Sequence, residues 1–209
     1  MTLFALENVN YKGIIKYPDI RIPADGVTFI CGESGSGKST LLKLLNGVIS
    51  ATSGTITYLG SKIEDYEPIE LRRNVLLISQ SVYLFDKSIK ENFNEYYAYR
   101  DLKVIADETM KKFLNICLAD FPLDSMCNIL SGGERQRVFI AINLSYQPKV
   151  LMMDEPTSAL DDKNADTLIK NIKSYCKANK ISLIIVSHDK TIADRYADNI
   201  INLLGGSDQ

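Results

Sequence analysis

Val27-Thr28-Phe29-Ile30-Cys31-Gly32-Glu33-Ser34-Gly35-Ser36-Gly37-Lys38-Ser39-Thr40 contains the spacing G-x-x-x-x-G-K-[S/T], between an apolar run and the helical-looking run Thr40 to Leu45. Strand, glycine-rich loop and helix in that order are the setting in which this spacing binds phosphate. Glycines let successive backbone N–H groups turn inward, and a helix N-terminus adds partial positive charge at the same place. Lys38 would reach the β- and γ-phosphates of a nucleotide, and the Ser39 hydroxyl would reach Mg²⁺. Gly32, Glu33, Ser34, Gly35, Ser36, Gly37, Lys38, Ser39 and Thr40 are therefore the candidate nucleotide-contacting set. The stretch implies a site for a nucleoside triphosphate.

Working outward, the apolar runs Leu3 to Val9, Asp19 to Ile22, Thr55 to Leu59, Val75 to Ile78, Val150 to Met153, Ser182 to Val186 and Asn199 to Leu203 read as strands. Helices are expected from Lys163 to Lys177 and after Asp189. Strands alternating with helices around a phosphate loop predict a parallel α/β sheet. The middle of the chain differs. Ser88-Ile89-Lys90-Glu91 is a capping-box pattern opening a helix, and Leu102, Ile105, Ala106, Thr109, Met110, Phe113 and Cys117 recur at helical spacing. Roughly Phe85 to Leu130 reads as a helical insert, and the tail Gly205 to Gln209 is expected to fray.

Composition narrows the function. The 209 residues are 45% hydrophobic, enough for a packed core, and 24 basic against 26 acidic side chains leave a net charge of −2. No basic surplus recommends binding to nucleic acid. Cys31, Cys117, Cys127 and Cys176 show no metal-ligand spacing and read as reduced thiols of a cytosolic protein. Neither a signal peptide nor an apolar run long enough to span a bilayer is expected, so any membrane would be crossed by something else.

Two further motifs carry chemistry. The strand Val150 to Met153 runs into Asp154-Glu155; one carboxylate can hold Mg²⁺ and the next can polarise an attacking water. Leu130-Ser131-Gly132-Gly133-Glu134-Arg135-Gln136-Arg137 places a second capping box and two glycines at a helix start, a second candidate anion site.

That last octet resembles the signature sequence of ATP-binding-cassette (ABC) ATPases. It stands in the family's order: phosphate loop, glutamine, signature, acidic strand, histidine. The resemblance runs from Leu3 to Leu203. It implies a P-loop NTPase core with a mainly parallel sheet, an N-terminal antiparallel β portion and an inserted helical subdomain. The expected layout is one domain over 1–209, with the helical subdomain at about 85–145 inserted into a core of 1–84 and 146–209. By position, Gln80 resembles the glutamine that reaches Mg²⁺ and the attacking water. His188, the sole histidine, resembles the switch histidine that bonds the γ-phosphate and aligns Glu155. Catalysis would then rest on Glu155, His188, Gln80 and Lys38, and metal binding on Ser39, Gln80 and Asp154. Asp161 matches a loop that contacts the partner subunit. Tyr11, with Tyr17 as alternative, is the candidate for stacking on adenine.

The resemblance also implies head-to-tail dimerisation, with ATP between Lys38 of one copy and Ser131, Gly132 and Gly133 of the other. It implies docking on separate transmembrane subunits at the cytoplasmic face of the cell membrane. A non-transport ABC ATPase working on nucleic acid or ribosomes is the alternative, and a small P-loop kinase is a third reading, opposed by the signature.

Overall fold

The computed structural model describes residues 1–203, so the tail Gly205 to Gln209 lies outside the described residues. The chain divides into two compact units. The first comprises Met1–Ser79, Pro148–Glu155 and the chain from Cys176 onward; the second comprises Gln80–Gln147 and Pro156–Tyr175.

The first unit opens with β1 (Thr2–Tyr11), β2 (Ile15–Lys16), β3 (Ile20–Pro23) and β4 (Val27–Gly32), followed by α1 (Lys38–Leu45). Then come β5 (Ser53–Tyr58), β6 (Ser61–Lys62), α2 (Pro68–Asn74) and β7 (Val75–Ile78). In the second unit lie α3 (Ile89–Ala98), α4 (Asp107–Ile116) and α5 (Gly132–Leu144). β8 (Val150–Asp154) belongs to the first unit, and α6 (Asp162–Ala178) starts in the second and ends in the first. β9 (Ser182–Val186), α7 (Lys190–Tyr196) and β10 (Asn199–Leu203) complete the first unit.

One five-stranded sheet has the order β10-β4-β9-β8-β7, with every pairing parallel. All of Val150–Asp154, and Val27 to Cys31 of β4, are buried, as strands covered on both faces must be. The second sheet is antiparallel: β1 pairs with β2, β3 and β5, and β5 with β6. One core cluster gathers Phe4, Leu6 and Ile22 of this sheet with Leu41, Leu42, Leu44 and Leu45 of α1 and Met152, Ile184 and Val186 of the parallel sheet. Burying those leucines holds α1 in place immediately behind the phosphate loop.

The helical unit follows the sequence reading at α3, where Ser88 and Glu91 form the full capping box. It departs at the start of α4, because residues 102–106 are not helical and Leu102 and Val104 face solvent. Asp107 and Glu108 fix the true first turn, where acidic side chains meet the helix dipole. Two short strands, β2 and β6, and helix α2 were not read from the sequence. α2 does carry a start signal, Pro68 at its first turn with the Glu67 carboxylate accepting the Glu70 N–H.

Candidate nucleotide site

The parallel register brings the chemistry together. Asp154 pairs with Val186 and Ile30 with Val186, so the chain leaving β4, β8 and β9 emerges at one edge of the sheet. The carboxyl ends of parallel strands are where such sheets bind ligands. From β4 comes the phosphate loop, from β8 Asp154 and Glu155, from β9 His188.

The loop turns into α1 through Gly37, whose φ of 91° is left-handed. Gly37 is the N-cap of α1, there is no side-chain cap bond, and the first turn holds no acidic residue. The helix therefore meets the loop with its N–H groups uncapped by side chains. Lys38 is buried, and its Nζ donates to the carbonyls of Gly32 at 2.9 Å and Glu33 at 2.7 Å. The ammonium is thus held in the mouth of the loop by neutral acceptors. The Glu33 side chain is exposed, as is required if a carboxylate is to stay clear of phosphates.

Asp154 is buried, and its Oδ1 has no hydrogen-bond partner. Burial raises its carboxyl pKa above the ordinary value, opposed by a hydrogen bond from Ser39. Ser36 Oγ, inside the loop, is likewise buried without a partner. Buried polar atoms are satisfied in most folds, so unpaired ones beside a phosphate loop mark a place for a ligand. Oxygen donors from one hydroxyl and one carboxylate suit Mg²⁺, which binds through few protein ligands and keeps room for phosphate and water.

Glu155 follows at φ 51°, left-handed for a residue with a side chain, while its N–H bonds Val186 O at 3.0 Å. Such strain persists where the surroundings enforce it, and it concentrates at working sites. His188 Nε2 lies 2.6 Å from Glu155 Oε1. Ser187, which the sequence reading passed over, is buried and accepts the Asp189 N–H at 3.0 Å, shaping the turn that presents His188. A serine two residues before an aspartate N-cap was the available signal. Asp189 in turn caps α7.

A family model described as ABC transporter matches residues 15–158, well over half the chain. The chain belongs to the ABC transporter family. The ABC subunit is 36% identical to the phosphate import ATP-binding protein PstB of Saccharolobus solfataricus, over 95% of this chain and 81% of that one. To the probable iron export ATP-binding protein FetA of Escherichia coli it is 33% identical, covering 96% and 91% of the two chains. Among solved structures, cbiO1 from Clostridium perfringens, part of the ABC transporter complex cbiONQ, superposes with a TM-score of 0.83 at 29% identity, covering 97% and 84%. As a member of this family, the chain is an ATP-binding subunit that hydrolyses ATP to power a transporter.

Gln80, the signature residues and Asp161 fall in the second unit. Gln80 is its first residue, exposed, two positions after β7. Ser131 caps α5 with the Glu134 box: the Ser131 N–H and hydroxyl both donate to Glu134 Oε2 at 2.8 Å. The two glycines are unlike. Nothing lies within 4 Å of a side chain added at Gly132, whereas one at Gly133 would stand 2.8 Å from the Ala159 carbonyl oxygen. Gly132 is open for approach; Gly133 backs onto the loop before α6. Arg135 donates to the carbonyls of Cys127 and Leu84, and Arg137 to that of Leu118, so both brace the helical unit. Asp161 caps α6 through the Asn164 N–H at 3.0 Å.

The tyrosines also divide. Tyr11 is half-buried at the end of β1 with the Lys12 ammonium 5.4 Å from its ring centroid. Tyr17 is only 3% exposed and its hydroxyl donates to Gly37 O at 2.8 Å. A buried ring cannot offer its face to a base, which leaves Tyr11 as the stacking candidate.

Proposed function

We propose that ATP binds at the α1 loop with Lys38 on its β- and γ-phosphates and Tyr11 against adenine, and that Glu155 activates the attacking water while His188 holds Glu155 in line. Ser39 and Asp154 would hold Mg²⁺, which would supply charge neutralisation on the phosphates. The observation that carries this reading is the row Asp154, Glu155, His188 at the sheet edge beside the loop, with a buried unpaired Asp154 Oδ1 and Glu155 held 2.6 Å from His188.

The signature Ser131-Gly132-Gly133 begins a different helix in the other unit, and each chain has one loop and one signature. Two copies arranged head to tail would make two composite sites, ATP joining them and hydrolysis letting them part. The energy would pass to separate transmembrane subunits at the inner face of the membrane. Among the described residues no helix is long and apolar enough to cross a bilayer. On the helical unit Tyr83 is 63% exposed and Phe85 is edge-on to it at 5.1 Å, while Leu84 between them is buried. These two rings offer an apolar wall to a helix of the membrane partner.

Glu155→Gln tests the scheme. It should lower turnover by on the order of 100-fold or more, since a positioned base contributes about 10²–10⁴-fold, while ATP binding remains and a dimer accumulates in ATP on size exclusion. A variant that stays monomeric at saturating ATP contradicts the composite site.

A further inference from the structure

We propose that Tyr17 is a positioning residue for nucleotide binding: its phenol sets the Gly37–Lys38 peptide so that the start of α1 receives the β-phosphate of a nucleoside di- or triphosphate. The inference rests on the reading of the α1 loop as the phosphate site. Tyr17 is anchored by its own N–H, which donates to Val9 O at 2.9 Å, and its ring is buried at 3% exposure. From there its hydroxyl donates to Gly37 O at 2.8 Å, an oxygen that also accepts the Leu41 N–H at 2.8 Å. One carbonyl is thereby fixed from two directions, by the helix it begins and by a side chain 20 residues upstream.

The consequence follows from peptide geometry. No peptide bond among the described residues is cis, so the Lys38 N–H points opposite to the Gly37 carbonyl. That N–H belongs to the first turn of α1 and has no partner within the helix. Fixing the carbonyl therefore aims a phosphate-binding donor. Packing reinforces the restraint, because a side chain at residue 37 would stand 2.9 Å from the Tyr17 hydroxyl and 3.0 Å from Ile15 Cγ2. Burial also pushes the phenol's pKa well above that of an ordinary tyrosine, with Tyr11 adding to the shift, so Tyr17 remains a donor at any working pH. A phenylalanine would fill the same space, which makes the hydroxyl separable from the ring.

Calorimetry of the full chain and of Tyr17→Phe with ADP, the Mg²⁺ complex of ATP, and AMP tests the role. Losing one hydrogen bond of ordinary strength should weaken ADP and ATP about five-fold. AMP, which places no β-phosphate in the loop, should bind as before. In turnover, KM for ATP should rise by a similar factor with kcat changed less than about two-fold. The melting temperature of the nucleotide-free variant reports folding separately. Equal weakening of AMP would assign Tyr17 to the base and overturn the proposal, as would unchanged ADP and ATP affinity. If the unaltered chain bound neither ADP nor ATP, the loop reading itself would fall.

Discussion

Two helices of this subunit begin with glycine-rich turns, and they treat their N-termini in opposite ways. α1 starts at Gly37 with no side-chain cap and no acid in its first turn; α5 starts at Ser131 with a complete capping box and the Glu134 carboxylate in its first turn. Beside α1, Asp154 Oδ1 and Ser36 Oγ are buried unpaired. At α5, Glu134 Oε2 takes both the N–H and the hydroxyl of Ser131. α3 shows the same box at Ser88 and Glu91, as a purely structural start would. An open N-terminus is a ready anion site, whereas a self-capped one has already engaged part of its donor set. The difference fits the proposed composite site, in which the loop would bind nucleotide first and the signature would join when another copy brings the phosphate.

The largest effect is expected from Asp154→Asn, which takes the buried carboxylate charge away from the site beside α1. Metal-assisted charge stabilisation is worth several kcal/mol, so hydrolysis should fall by about 100-fold or more. The nucleotide-free protein should become more stable, because a buried carboxylate with a raised pKa costs stability once ionised. Below the unfolded carboxylate pKa both states are protonated and the cost is nil. As pH rises through the raised folded value, the cost is felt in full. Thermal melts from pH 4 upward should therefore show stability declining with pH less steeply in the variant, and relieving about 1 kcal/mol would raise Tm by roughly 2–4 °C. A lowered Tm at neutral pH would mean that the open end carries no strain.

Gly133→Ala separates the two glycines of the α5 start. Its new methyl would press on the Ala159 carbonyl at 2.8 Å, and urea unfolding should show a loss of about 1–3 kcal/mol. Gly132→Ala, with open space around it, should stay within about 0.5 kcal/mol. Equal costs would remove the distinction between a packing glycine and an approach glycine.

Smallest of all is Glu134→Gln, which sharpens the contrast between the two ends. Glutamine keeps the box but takes the negative charge off the α5 N-terminus, a change worth about 0.3–1 kcal/mol. On the Glu155→Gln background, ATP-driven dimerisation measured by light scattering should tighten about two- to five-fold. Weaker dimerisation would show that the charge itself assists assembly.

Much of the site was legible because its chemistry is local in sequence. A phosphate loop, a capping box and an acidic pair after an apolar strand each occupy a few consecutive residues. Even so, seven positions at helical spacing, six of them apolar, placed the start of α4 too early. Leu102 and Val104 face solvent, because spacing reports a possible face and not whether anything packs on it.

The amino-acid order by itself determined the strand–loop–helix at Val27 to Leu45, the boundaries of β7 and β9, and the caps at Ser88, Ser131 and Asp189, since these depend on backbone preferences and neighbours a few residues away. The tertiary structure decided what depends on distant partners. It buried the Tyr17 ring against the loop and left Tyr11 half-buried, set Glu155 beside His188 through the β8–β9 register, and left Asp154 Oδ1 without a partner. Burial and register arise from contacts between segments far apart along the chain, and periodicity carries no record of them.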